Sequence, residues 1–241
     1  MREETKFKEN IDRNRMAFLF KIGITGAFII LAGDFLMGWG VRDLSLSGIE
    51  GQISQYLTVS DGRMFWSSFL GMIGVPLACV GHIGIYKLLK PYSRKYAGLY
   101  MIGMLGFLAF GGAGVHVSSV ESAFFYKYMT AADPNNALAA AIKFASYFLL
   151  PLYIILLICW IILVYAHIMA VAKGFSPYPR WCWVFSMPVG TLLFSLFGIL
   201  GNHAIVNAIM VGAFSFGNIW TLTGHLLMLY KAKEDLEKKS V

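Results

Sequence analysis

The sequence predicts an all-α fold, a polytopic transmembrane helix bundle of about six spans, forming one domain over residues 1–241 with both termini cytoplasmic. Three observations predict it. The 241 residues are 58% hydrophobic and only 14% charged, with a mean hydropathy of +0.65, outside the balance of a water-soluble globule. Apolar runs long enough to cross roughly 30 Å of hydrocarbon recur along the whole chain. The basic residues alternate between rich and poor connections, as the positive-inside rule requires.

The first run, Met16–Gly38, exceeds the apolar core of a signal peptide and has no small-residue cleavage site after it, so it reads as an uncleaved span. The others are Met64–Leu88, Tyr96–Val117, Leu138–Val171, Trp181–Leu200 and Ala204–Leu229. An even number of spans places sixteen of the 20 Lys and Arg inside: Arg2, Lys6, Lys8, Arg13, Arg15, Lys21, Lys87, Lys90, Arg94, Lys95, Lys173, Arg180, Lys231, Lys233, Lys238 and Lys239. Four fall outside: Arg42, Arg63, Lys127 and Lys143. Trp39 and Trp66 would anchor the outer interface, and Tyr92, Tyr96, Tyr178, Trp181 and Trp183 the inner one.

The outer connections Trp39–Arg63 and Ser118–Ala137 are long, apolar enough to lie on the interface, and read as a lid or as plain solvated loops. Small residues predict close helix approach: Gly23, Gly26 and Gly33 in the first span, Gly71, Gly74, Gly81 and Gly84 in the second, and Gly103, Gly106, Ala109 and Ala113 in the third. Pro76, Pro151 and Pro188 predict kinks near mid-membrane.

Chemistry is sought among polar residues inside spans, where a charge is costly. Counting depth from a cytoplasmic N-terminus puts Asp34, His116, Glu121 and His203 near the outer side. Two carboxylates and two imidazoles at one level predict either an interhelical hydrogen-bond network or acid–base groups, with a divalent metal such as zinc as a further reading. Asn202 and Asn207 flank His203, and Asn218, Thr221 and His225 step along one face of the last span, a polar stripe that would bind substrate or glue helices. His82, His167 and His225 fall near the inner side, as interfacial imidazoles or as ligands of a metal or a haem.

The net charge of +7 sits in short juxtamembrane pieces, which argues against nucleic acid as a partner. The chain has no G-x-x-x-x-G-K-[ST], H-E-x-x-H, C-x-x-C or G-x-S-x-G, so nucleotide-driven transport, zincin chemistry, thiol exchange and an ordinary hydrolase elbow lose support. Cys79, Cys159 and Cys182 read as packing residues, and no lysine sits mid-membrane to hold retinal.

Gly33-Asp34-Phe35-Leu36-Met37 followed by Gly81-His82-Ile83-Gly84-Ile85-Tyr86 resembles the order of motifs in lysoplasmalogenase-like membrane proteins of the YhhN type. That resemblance implies an intramembrane hydrolase of lysolipid vinyl ethers, with Asp34 and His82 as acid–base candidates. Over its whole length the chain looks like uncharacterised bacterial six-span membrane proteins. The expectation is a cell-membrane protein with a polar cavity near the outer leaflet, acting as a hydrolase or isomerase on a lipid or other apolar small molecule. Its partners would be membrane lipids, that apolar ligand and a second copy in a homodimer. A transporter or binding protein, and a haem-containing electron carrier, are the alternatives.

Overall fold

The computed structural model describes residues 12–237, in which every regular element is helical. Arg2, Lys6, Lys8, Lys238 and Lys239 lie outside the described residues. Helix α1 (Arg13–Gly38) begins at Asp12, whose carboxylate accepts the Arg15 N–H at 3.0 Å. It ends under Arg63, which donates from Nε to the Leu36 carbonyl at 2.8 Å and from Nη2 to the Trp39 carbonyl at 2.7 Å. One of the four basic residues expected outside is thus a helix cap.

A short helix α2 (Gly48–Ile53) and a 3₁₀ turn (Ser54–Thr58) lead into α3 (Asp61–Leu89). Helices α1 and α3 run antiparallel in close contact: Gly23 faces Gly81, Gly26 faces Ala78, and Gly33 faces the Ser67 backbone. A Cβ on Gly23 would stand 2.5 Å from the Gly81 Cα, so the expected small-residue seam is real.

Helix α4 (Arg94–Phe110) passes through a π-helical turn (Gly111–His116) into α5 (Val117–Ala132), giving 39 continuous helical residues. The expected outer connection Ser118–Ala137 is therefore mostly helix. Its hydroxyls are satisfied locally, Ser119 Oγ donating to the Val115 carbonyl and Ser122 Oγ to the Ser118 carbonyl, both at 2.7 Å. Gly103 and Gly106 pack against Cys159 and Leu163, but Ala109 and Ala113, on either side of the start of the π turn, are exposed, so the expected small face stops short.

The run Leu138–Val171 is two helices, α6 (Ala137–Phe148) and α7 (Leu150–Ala172). Pro151 lies in the first turn of α7, where its missing N–H costs nothing, and Pro188 does the same for α8 (Met187–Ser195). Only Pro76 is interior to its helix, so the expected trio of mid-span kinks is corrected to two helix starts and one internal proline. Residues Trp181–Leu200 form 3₁₀ turns on either side of α8 and no helix of spanning length. Helix α9 (Ala204–Val211) bends by 61° into α10 (Ala213–Glu237).

Among the described residues, four helices are long and apolar enough to cross a membrane, or five when the bent pair counts as one. Large apolar side chains such as Phe18, Phe28, Phe69, Ile102, Ile154, Ile158 and Ile161 point outward on them. Such helices and such a surface mark a membrane protein. The Phe20 ring lies 5.7 Å from that of His225, while Ser215 reaches Asp34, so α10 runs antiparallel to α1. The start of α1 and the later part of α10 thereby share one end of the bundle, together with the junction of α3 and α4.

Candidate intramembrane site

Asp34 sits one turn from the end of α1, with 8% of its surface exposed. A carboxylate so buried needs partners from other helices, and it has two. Ser215 Oγ of α10 donates to Oδ2 at 2.5 Å, and His116 Nδ1 stands 3.6 Å from Oδ1. On its other side the His116 ring meets the Ser67 carbonyl with Nε2 at 3.0 Å. A carbonyl oxygen only accepts, so Nε2 carries a proton, and Nδ1 faces Asp34 as the atom that gains or gives one. Ser67 Oγ is 3.5 Å from the same Nε2, but Ser67 is fully buried and away from the cavity wall, so it is no exposed nucleophile.

Local structure aims the imidazole. The π turn at Gly111–His116 puts His116 over α3, and Gly71 leaves room for it. A cavity of about 580 Å³ opens beside the pair. Ile30, Val75, Phe107, Val115, Leu156 and Phe214 supply apolar wall, while Asp34, His116, Ser119, Ser122, Ser215 and Asn218 bring polar groups to it. A largely apolar hollow with a few convergent polar atoms is the usual form of a small-molecule site.

The connection after α1 brings Ile49, Ile53 and Tyr56 over this cavity. Burial raises the Tyr56 phenol above its ordinary value of 10.0, so it remains a neutral hydroxyl. Lys127 Nζ pins the cover by donating to the Val59 carbonyl at 2.9 Å and to Asp61 at 2.8 Å, and Tyr128 donates its hydroxyl to Asp61 at 2.5 Å.

The structure divides the expected outer cluster. Asp34 and His116 meet, whereas Glu121 is exposed on another face of α5, beside a separate recess, and His203 is exposed at the start of α9. Asn202 and Asn207 do not reach the cavity. Asn202 bonds both backbone groups of Arg42, and Asn207 donates to the Gly40 carbonyl at 2.8 Å, so they fasten the connection after α1 to α9. Thr221 donates to the Gly217 carbonyl of its own helix at 2.9 Å. Asn218 alone of the four expected binding residues lines the cavity. Ser215, a cavity residue that the sequence did not single out, precedes Asn218 by three residues on the same helical face, a spacing that could have found it.

The inner histidines divide between two hydrogen-bonded groups, only one of which is a histidine pair. His82 Nδ1 meets the Tyr100 hydroxyl at 2.6 Å and its Nε2 meets Asn218 Oδ1 at 2.8 Å. His167 and His225 join through their Nε2 atoms at 2.8 Å, leaving His225 Nδ1 buried without a partner. All three are buried in the helix interior rather than at an interface. Among the described residues no three His, Cys, Asp or Glu side chains converge as ligands of a metal ion.

Fold and site together define an α-helical membrane protein with a largely apolar cavity that carries a few polar groups and opens at the bundle surface. The chain belongs to a family of unknown function (DUF6796), which it matches over residues 6–232. No curated protein and no solved structure matches it. The likeness to lysoplasmalogenase-type proteins finds no support in these comparisons. His82, the residue that likeness pairs with Asp34, stands behind Asn218 instead of beside the carboxylate.

Proposed function

We propose that this chain is a multi-pass cell-membrane protein that takes an apolar or lipid-like small molecule into the cavity and performs acid–base chemistry on it with Asp34 and His116. The observation that carries the reading is the convergence of that pair, with Ser215, on a largely apolar hollow inside the bundle. His116 Nδ1 and Asp34 Oδ1 can exchange a proton with an occupant while Nε2 stays on the Ser67 carbonyl. Exposed Tyr153 and Ile142 stand where the cavity meets the outer surface of α6 and α7, which suits entry from the bilayer. The basic helix ends Arg13, Arg15, Lys87, Lys90, Arg94 and Lys95 share the end of the bundle opposite Asp34, which supports a cytoplasmic placement for that end and an outer-leaflet placement for the cavity.

A through-path for cargo has less support. Below Asn218 the interior is filled by His82, Tyr100, Phe20 and Leu222, each almost wholly buried. Mass spectrometry of apolar molecules extracted from the purified protein tests the reading. A retained lipid-like species, lost when Ala145→Phe fills the cavity, is the expected result. An empty protein that moves solutes across vesicle membranes would favour transport instead.

A further inference from the structure

Glu121 belongs to a different recess from Asp34, and that recess has its own chemistry. It measures about 580 Å³ and lies between the start of α3, α5 and α6. Phe65, Phe124, Phe125, Tyr128 and Phe144 line it, and Phe65, Phe124 and Tyr128 are 62%, 41% and 48% exposed, so aromatic surface faces outward. The rings are braced: Phe124 and Tyr128 lie 4.5 Å apart by centroid, and Phe125 and Phe144 stack at 4.7 Å.

Two carboxylates line the recess, and their states differ. Asp61 is engaged by Lys127 Nζ and the Tyr128 hydroxyl. Glu121 is exposed and its carboxylate has no hydrogen-bond or ion-pair partner among the described residues. Lys127 balances Asp61 and places its Nζ 5.8 Å from the Tyr128 ring centroid, so the recess keeps one uncompensated negative charge, that of Glu121, beside the rings of Phe65, Phe124, Phe125 and Phe144. Ring faces attract cations through their quadrupole, and a carboxylate adds a direct charge, so this pairing selects a bulky organic cation over an anion or a neutral chain.

We infer that the Glu121 recess binds the ammonium headgroup of a zwitterionic phospholipid. Its place at the Asp61 end of α3, beside outward-facing Phe65, Trp66 and Phe69, supplies apolar surface for the acyl chains below the headgroup. The recess and the Asp34 cavity are separate hollows that share Val120 of α5 as a wall.

The test is native mass spectrometry of the full chain in mild detergent, offered phosphatidylcholine or phosphatidylglycerol with identical acyl chains. The expected result is retention of phosphatidylcholine about threefold to tenfold above phosphatidylglycerol. Glu121→Gln should abolish that preference, and Phe124→Leu, which keeps an apolar side chain but removes the ring, should reduce it. Ala145→Phe should leave it unchanged. Equal retention of the two lipids in the wild type overturns the inference, as does a preference that survives both Glu121→Gln and Phe124→Leu. Loss of preference in Ala145→Phe alone would assign the lipid to the cavity and overturn it too.

Discussion

The imidazole of His116 occupies the space that a side chain on Gly71 would fill: a Cβ built on Gly71 would run into the His116 ring atoms Cδ2, Nε2 and Cγ. Room on α3 and a π turn on the facing helix are thus two parts of one arrangement that brings His116 to Asp34.

Gly71→Ala should therefore push the ring away from both Asp34 and the Ser67 carbonyl. The overpacking should cost about 1–3 kcal/mol, read as a lowered thermal midpoint in detergent, with a changed His116 signal in histidine-labelled NMR spectra. An unchanged spectrum would show that the ring is held by something other than this fit.

Asp34→Asn separates chemistry from architecture. The amide keeps the shape and can still accept from Ser215, so the chain should fold while losing any turnover that depends on a proton at that carboxylate. Thermal unfolding beside product analysis on the molecule found in the cavity checks both halves. A collapse of stability with no other change would make the Asp34–His116–Ser215 cluster a structural tie.

Tyr100→Phe should leave His82 Nδ1 buried without its partner, at a cost of about 1–3 kcal/mol. Combining it with His82→Leu should cost less than the two single losses together, because both changes break the same bond. Unfolding midpoints of the three variants give the comparison directly.

Lys127→Met should release the cover. The ammonium holds the Val59 carbonyl and Asp61 together, so amide hydrogen exchange over residues 48–59 should quicken while that of α1 and α3 stays as it was.

Acid should loosen the same connection through Asp43. The Ser45 hydroxyl and N–H hold its carboxyl below the ordinary 3.8. The folded value is the depressed one, so its contribution is complete above 3.8 and disappears as pH falls through the folded value. The protection of amides 43–47, taken relative to the intrinsic exchange rate at each pH, should fall across that window in the wild type, and the step should shrink in Ser45→Ala.

Asp34 was legible because a lone carboxylate between apolar neighbours in a span demands a partner, and counting depth put it level with His116, which it meets. Depth gives height and not direction. Five residues beyond His116 in an ordinary helix is about 140° around the axis, which is why Glu121 shares the level and not the site. Hydropathy merged α6 and α7, since Leu149 is as apolar as its neighbours and only Pro151 marks the new helix. The same scale read Ser118, Ser119 and Ser122 as loop, although the Ser119 and Ser122 hydroxyls turn back onto the helix and let it continue. Asn202 and Asn207 show the limit of composition: amides near a cavity can serve the backbone of a distant connection, a role visible only once α9 is placed against α1.

Asn218 belongs to two arrangements at once. Its Oδ1 accepts from His82, whose other nitrogen holds Tyr100, while its side chain also forms part of the cavity wall. An occupant that draws the amide toward itself weakens the grip on His82, and anything that fixes His82 and Tyr100 fixes what the occupant meets. Filling the cavity and holding His82 and Tyr100 in place would therefore act on one and the same amide.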